Sequence, residues 1–230
     1  MANHHTHVAV GMLAGAICAE VIGLSEPARA LASGIAGGAA LLPDVDTPTS
    51  AVAHSVGRIG SVLLAPVRLA AVKHRGVTHT ALLGAVLSGA ILLASSTRTS
   101  LIVPVIAGLM AALAARSVLT FGSGQTLHPL LSRRHRRWIT LVVAVFAAVA
   151  STRVSLVHSR TLIAWAFAAG YASHLLADAI MNGVPLFWPI RPLSKRVVLG
   201  RIKTGSFADH LLGVVALVGA AVVIGSTHLG

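Results

Sequence analysis

Apolar runs of roughly membrane length, separated by short polar segments, organise this chain. His79 to Thr97 contains no Lys, Arg, Asp or Glu, and neither does Thr99 to Ala115. Each approaches the roughly 20 residues that a helix needs to cross the hydrocarbon of a bilayer. Trp138 to Thr152 is shorter but uniformly apolar, and Thr161 to Ala177 and Leu211 to Thr227 are longer, which adds three more predicted spans. At the front, His7 to Leu24 and Ala28 to Leu42 read as a helical hairpin broken at Ser25 to Pro27. Gly11 and Gly15 lie one turn apart on the face of His7, and Gly34 and Gly38 repeat that spacing in the second arm. Small-residue faces of this kind let helices approach closely. The expectation is an all-α, multi-spanning membrane helical bundle, a single domain over residues 1–230.

Composition supports the membrane independently. The chain is 55% hydrophobic and 10% charged, with a mean hydropathy of +0.84, whereas a soluble domain carries about 25% charged residues. The N-terminus opens on His4, His5 and His7 rather than on Lys or Arg, so it is expected to be retained rather than cleaved as a signal peptide. Cys18 is the only cysteine, which excludes a disulfide within the chain.

Charge then orients the bundle. Alternating the segments puts the loops Pro43 to Thr78, Gly122 to Arg137 and Gly183 to Ser206 on one side, with most of the Lys and Arg. By the positive-inside rule that side is cytoplasmic, in a multi-pass protein of the inner (plasma) membrane. The formal charge of +12 suits membrane lipids with anionic or phosphate-bearing headgroups as partners. Nucleic acid is not expected, because no aromatic residues are interleaved with the Arg run.

Against this background the carboxylates stand out. Four of six fall in short motifs: Asp44 and Asp46 in LPDVD, Asp178 in SHLLAD and Asp209 in FADH. An ionised carboxylate inside an apolar helix costs several kcal/mol or more unless a cation, a proton or water accompanies it. The same alternation brings His7, Asp44, Asp46, His54, His74, His79, His174 and Asp178 to one membrane face. His174 and Asp178, four residues apart, share a helix face and aim imidazole and carboxylate at a common point. His74 and His79 bracket RGVT, with Gly76 for backbone freedom and Thr78 as a helix N-cap. A divalent metal fits such a set; imidazole suits zinc, and the carboxylates leave manganese or iron open.

THVAVG (Thr6 to Gly11), LLPDVDTPTS (Leu41 to Ser50), HRGVTHT (His74 to Thr80), YASHLLADAIMNGVPLFWPI (Tyr171 to Ile190) and RIKTGSFADHLL (Arg201 to Leu212) occur in that order. Together they resemble the motifs of the YdjM-like inner-membrane, metal-dependent hydrolase family, with least similarity between Ser88 and Leu162. More distantly, an early histidine, a PD pair, central histidines and a final His-x-x-x-carboxylate resemble the zinc-dependent phospholipase C and P1 nuclease group. Met181 and Asn182 stand where the family often has Thr-Pro, and Asp209 where Glu is common.

The resemblance implies a membrane-bound hydrolase acting on a phosphoester of a lipid or lipid-linked substrate through metal-activated water. His7, Asp44, His54, His74, His79, His174 and Asp178 are the candidate metal ligands. Asp46 is the candidate for positioning the water or acting as base, and Arg75 for stabilising charge on a phosphoryl oxygen. Two other classes use the same residues: a non-catalytic, metal-stabilised membrane scaffold, and an ion or metal transporter. A transporter would favour midplane ligands and an internal repeat. A scaffold differs from an enzyme in having a closed coordination sphere.

Overall fold

The computed structural model describes residues 4–47, 50, 76–95, 101–120, 132–153 and 156–226. Seven α-helices lie among them: α1 (His4–Val21), α2 (Glu26–Ala39), α3 (Ala81–Ala94), α4 (Ile102–Leu119), α5 (Arg133–Arg153), α6 (Leu156–Met181) and α7 (Phe207–Gly225). Each coincides with one of the predicted apolar segments, their ends shifted by a few residues. Short 3-10 turns at Pro43–Asp46 and Val77–His79 carry the PD motif and the second histidine motif. The described residues contain no strand; Val184 and Val197 form an isolated antiparallel bridge. Ile102–Leu119, Thr161–Met181 and Phe207–Gly225 are long and apolar enough to cross a membrane, and Ala81–Ala94 is a shorter apolar helix. His54, His74 and Arg75 fall outside the described residues.

Local chemistry sets the helix ends. Pro27 sits in the first turn of α2, where its missing N–H costs nothing, and Glu26 beside it complements the helix dipole. α3 begins two residues later than the N-cap reading of Thr78 requires. Thr80 is the cap, its hydroxyl accepting from the Leu83 N–H at 3.3 Å, and Thr78 is left to serve the site instead. α6 stops where Gly183 takes a φ of +78°, a conformation that costs glycine little, and the N–H groups of Asn182 and Gly183 both bond the Asp178 carbonyl at 2.8 Å. Ser206 caps α7 by accepting from the Asp209 N–H, while the Asp209 carboxylate reaches back to the Gly205 N–H at 2.7 Å. Aspartate therefore fills the tail position where glutamate is common, with a buried structural role.

The α1–α2 hairpin forms the middle of the bundle; α6 and α7 pack on α1, α4 on α2, α5 outside α4, and α3 against α6. Apolar side chains gain little by leaving lipid for protein, so close van der Waals approach has to hold these helices together. The glycines provide it, as their spacing predicts. A Cβ at Gly11 would meet the Ala40 Cβ at 2.7 Å, and one at Gly15 the Ala32 carbonyl oxygen at 2.5 Å. Gly38 lies against the Met110 carbonyl and Gly170 against the Ala36 carbonyl, both too close for any side chain. Outward-facing Val86, Leu93, Val105, Val142, Phe146, Val218 and Val222 are exposed, as a lipid-facing surface requires.

Polar contacts fasten both ends. At one, Arg29 is buried and donates to the Glu20 carboxylate, to the Val223 carbonyl at 3.1 Å and to the Ser226 hydroxyl at 2.9 Å, joining α1, α2 and the end of α7. At the other, the Thr6 hydroxyl donates to the Asp209 carbonyl at 3.1 Å, and His5 Nδ1 lies 3.0 Å from the Ser117 carbonyl. This second end gathers the start of α1, the ends of α2, α4 and α6, and both 3-10 turns. Gly170 sits one turn before His174 on α6, so Gly170→Ala should push α6 away from α2 and carry His174 with it. Overpacking of this kind costs about 1–3 kcal/mol. We expect a lowered unfolding midpoint in detergent and weaker metal binding, measured on the same sample; an unchanged midpoint would show that the helices have room to part.

Candidate metal centre

Four sequence motifs place their side chains within one buried cluster. His7 comes from the first turns of α1, Asp44 from the turn after α2, His79 from the turn before α3, and His174 with Asp178 from the last turns of α6. His7, His79, His174 and Asp178 are fully or almost fully buried. Asp44 differs, its side chain being 13% exposed, so the cluster reaches the surface through this carboxylate.

Distances within the cluster are short and similar. His79 Nε2 lies 3.4 Å from Asp44 Oδ1, 3.5 Å from Asp178 Oδ2 and 3.3 Å from His174 Nε2. His174 Nε2 is 3.9 Å from Asp44 Oδ1 and 3.7 Å from Asp178 Oδ2. These 3.3–3.9 Å separations place the side chains in two overlapping triads that share His174 and could each hold a metal ion, His7–His174–Asp178 and Asp44–His79–His174. His7 stands beside this group, its ring stacked on His174 with centroids 4.1 Å apart and its Nε2 3.5 Å from the other Asp178 oxygen, Oδ1.

The outer ring nitrogens settle what the inner ones can do. His174 Nδ1 is 2.7 Å from the Ala40 carbonyl, which only accepts, so this nitrogen carries the proton and Nε2 a lone pair. His79 Nδ1 is 3.1 Å from the Thr78 hydroxyl, which in turn donates to Asp46 Oδ2 at 2.8 Å. That chain assigns the Nδ1 proton to His79 as well. Two imidazole lone pairs and two carboxylate oxygens then converge. Such a gathering of acceptors needs a cation or captured protons. Both nitrogens of His7 and Oδ1 of Asp44 are buried without a hydrogen bond, so the residues fit a bound divalent ion.

Not every sequence candidate faces the cluster. Asp46 lies behind His79, 3.8 Å from Nδ1, on the side opposite the convergent Nε2 atoms. Its partner Thr78 is held in turn by the Tyr171 hydroxyl, which donates to the Thr78 carbonyl. Thr78, Tyr171 and the Ala40 carbonyl form a supporting layer that motif reading missed. Tyr171 had a signal, standing three residues before His174 on the same helix face, whereas a backbone carbonyl has none. His5 turns to α4 and stays apart from the convergent donors. Of the departures from the family's pattern, Met181 is buried and Asn182 donates to the Thr204 hydroxyl at 3.0 Å, so both serve the closing loop.

The geometry can be set beside known proteins. No curated protein and no solved structure matches the chain, and the distant likeness to zinc-dependent phospholipase C and P1 nuclease therefore gains no support. One protein family does match, and over residues 1–228. That match takes in every motif contributing to the cluster and nearly the whole helical bundle, and the chain accordingly belongs to the YdjM inner membrane protein family.

Proposed function

We propose that the protein is a membrane-bound, metal-dependent hydrolase acting on a phosphoester of a lipid or lipid-linked substrate. The observation that carries the reading is the convergence of four acceptor atoms, from His79, His174, Asp44 and Asp178, with spacing that suits a metal ion. His7 joins them through Asp178 Oδ1, as a further ligand or as the donor that orients this carboxylate. A divalent ion bound there, zinc by donor type with manganese or iron as alternatives, supplies Lewis acidity: it polarises a phosphoryl oxygen and makes water more acidic.

The chain's own residues do the rest. The Ala40 carbonyl and the Thr78–Asp46 pair fix the tautomers and planes of His174 and His79. Asp44, the partly exposed member of the cluster, marks the side from which water and substrate enter. Arg75, which directly precedes Gly76 in the sequence, supplies positive charge for the developing phosphoryl oxygens. His54 and His74 remain proposed ligands. The basic loops and the site face the cytoplasm in this reading, and the substrate enters from that leaflet. Complete burial of His79, His174 and Asp178 also suits a closed, structural metal site, and on that ground the scaffold is the second reading. The partly exposed Asp44 favours the enzyme.

The test is hydrolysis itself. Purified protein in liposomes, offered phosphomonoester and phosphodiester lipids, should release product, lose the activity to a chelator and regain it with added metal. Stoichiometric metal binding without hydrolysis across a broad substrate panel would transfer the assignment to the scaffold.

A further inference from the structure

A second feature lies on the other side of α6. Ala168, Ala172, Leu176 and Ala179 of α6 face Gly84, Ala85 and Ser88 of α3 across a groove of about 500 Å³, closed at one end by Val197 and Leu199 of the loop between α6 and α7. Trp165, 61% exposed, stands at the other end. The lining is apolar apart from two hydroxyls, and both are committed. Ser88 donates to the Gly84 carbonyl at 2.8 Å, and Tyr171 to the carbonyl of Thr78. An occupant of this groove is offered hydrocarbon contact and almost nothing else.

Its shape narrows the choice. Trp165 and Ala179 are 14 residues apart on one helix, which is about 21 Å at the α-helical rise, so the groove is long and narrow. A second helix, about 10–12 Å across, does not fit. One extended hydrocarbon chain does. The length also matches the depth of a single leaflet, about 15 Å of hydrocarbon plus the headgroup boundary, and the groove runs along Thr161–Met181, a segment long and apolar enough to cross the membrane.

Charge identifies the head of the occupant. Val197 and Leu199 belong to the stretch from Gly183 to Ser206, which contains Arg191, Lys195, Arg196, Arg201 and Lys203, all exposed, and no acidic residue. Bonds from the Leu199 N–H to the Ala179 carbonyl at 2.8 Å, and between Val184 and Val197, tie this stretch to the end of α6. Exposed Phe187 and Ile190 beside Arg191, whose guanidinium lies over the Phe187 ring at 5.6 Å, give it the mixed aromatic, apolar and cationic surface of a membrane interface. We infer that the groove seats one acyl chain of an anionic phospholipid, with the phosphate under the cations of the loop. The inference goes beyond the hydrolase reading and does not rest on it, since His174 and Asp178 occupy a different face of α6.

The probe is a phospholipid carrying a photoreactive group near the end of one acyl chain, with an anionic phosphatidylglycerol or a zwitterionic phosphatidylcholine headgroup. Each is diluted into phosphatidylcholine liposomes holding the metal-loaded full chain, and adducts are mapped by peptide mass spectrometry. The anionic probe should label the segments around Ala85, Ala168 and Ala172 at least threefold more than the zwitterionic one. Replacing Lys195, Arg196 and Arg201 together by Gln should bring the two probes to parity. Ala172→Trp should remove the groove adducts while the bound metal stays unchanged; Ala168→Leu provides a milder filling variant if the tryptophan form does not fold. Labelling spread evenly over α3, α6 and α7, adducts that persist in a folded filled variant, or cross-links to a second copy in place of lipid would overturn the assignment. None of these outcomes depends on whether the metal centre hydrolyses anything.

Discussion

Replacing His174 or Asp178 by alanine is expected to lower metal affinity at least about 10²-fold, because the loss of a ligand should exceed the 10–100-fold effect typical of residues that merely support one. His174→Ala removes an Nε2 lone pair from two overlapping donor triads, His7–His174–Asp178 and Asp44–His79–His174. Asp178→Ala removes both the oxygen facing His79 and the one facing His7. Metal analysis of purified protein and competition titration with a chromophoric chelator would measure the loss. Asp178→Asn serves as a folding control: it preserves the volume at a fully buried position and leaves the carbonyl that ends α6 bonded to Asn182 and Gly183. It should fold like wild type and still bind metal poorly. His135→Ala, at an exposed position near the start of α5, should change nothing. Native affinity in both alanine variants would remove the metal centre from this bundle and leave the convergent acceptors to be explained by bound protons.

Much of that centre was legible in the sequence because its ligands sit on regular helices. Apolar runs fixed where α3 to α7 lie, and the four-residue spacing of His174 and Asp178 needs nothing more than helical geometry to become a pair. His7 was legible for a similar reason, near the start of a segment whose glycine face packs it into the middle. The turns were harder. Asp44 and Asp46 are two residues apart in one motif, and only the backbone decides which of them turns inward. In a strand they would share a face, but at three residues per turn they diverge by about 120°. The observed turn sends Asp44 into the cluster and Asp46 behind His79. Thr78 and Thr80 pose the same ambiguity two residues apart, resolved when Thr80 takes the cap and frees Thr78 to bind Asp46. The Ala40 carbonyl that sets the His174 tautomer has no signature in any side chain.

This placement of Asp46 changes what its removal should do. A general base would have to reach the reacting water, and Asp46→Asn would then cut turnover about 10²-fold or more while metal affinity stayed native. Asp46 touches the centre through two intermediates, the Thr78 hydroxyl at 2.8 Å and the outer nitrogen of His79 at 3.8 Å. A carboxylate in that position holds the imidazole plane, fixes its tautomer and strengthens Nε2 as a ligand, and removing such a support typically costs 10–100-fold in metal affinity or activity. We therefore expect Asp46→Asn to weaken metal binding by about 10–100-fold, with turnover restored in large part when the metal is raised to saturation. Thr78→Val should act in the same direction, because it removes the hydroxyl between the carboxylate and the ring, and Thr78→Ser should rescue it. Affinity and saturating turnover measured separately for the three variants distinguish the roles. Native affinity with collapsed turnover in Asp46→Asn, together with an innocuous Thr78→Val, would return Asp46 to the chemistry and show that the turn carrying it moves toward the cluster during the reaction.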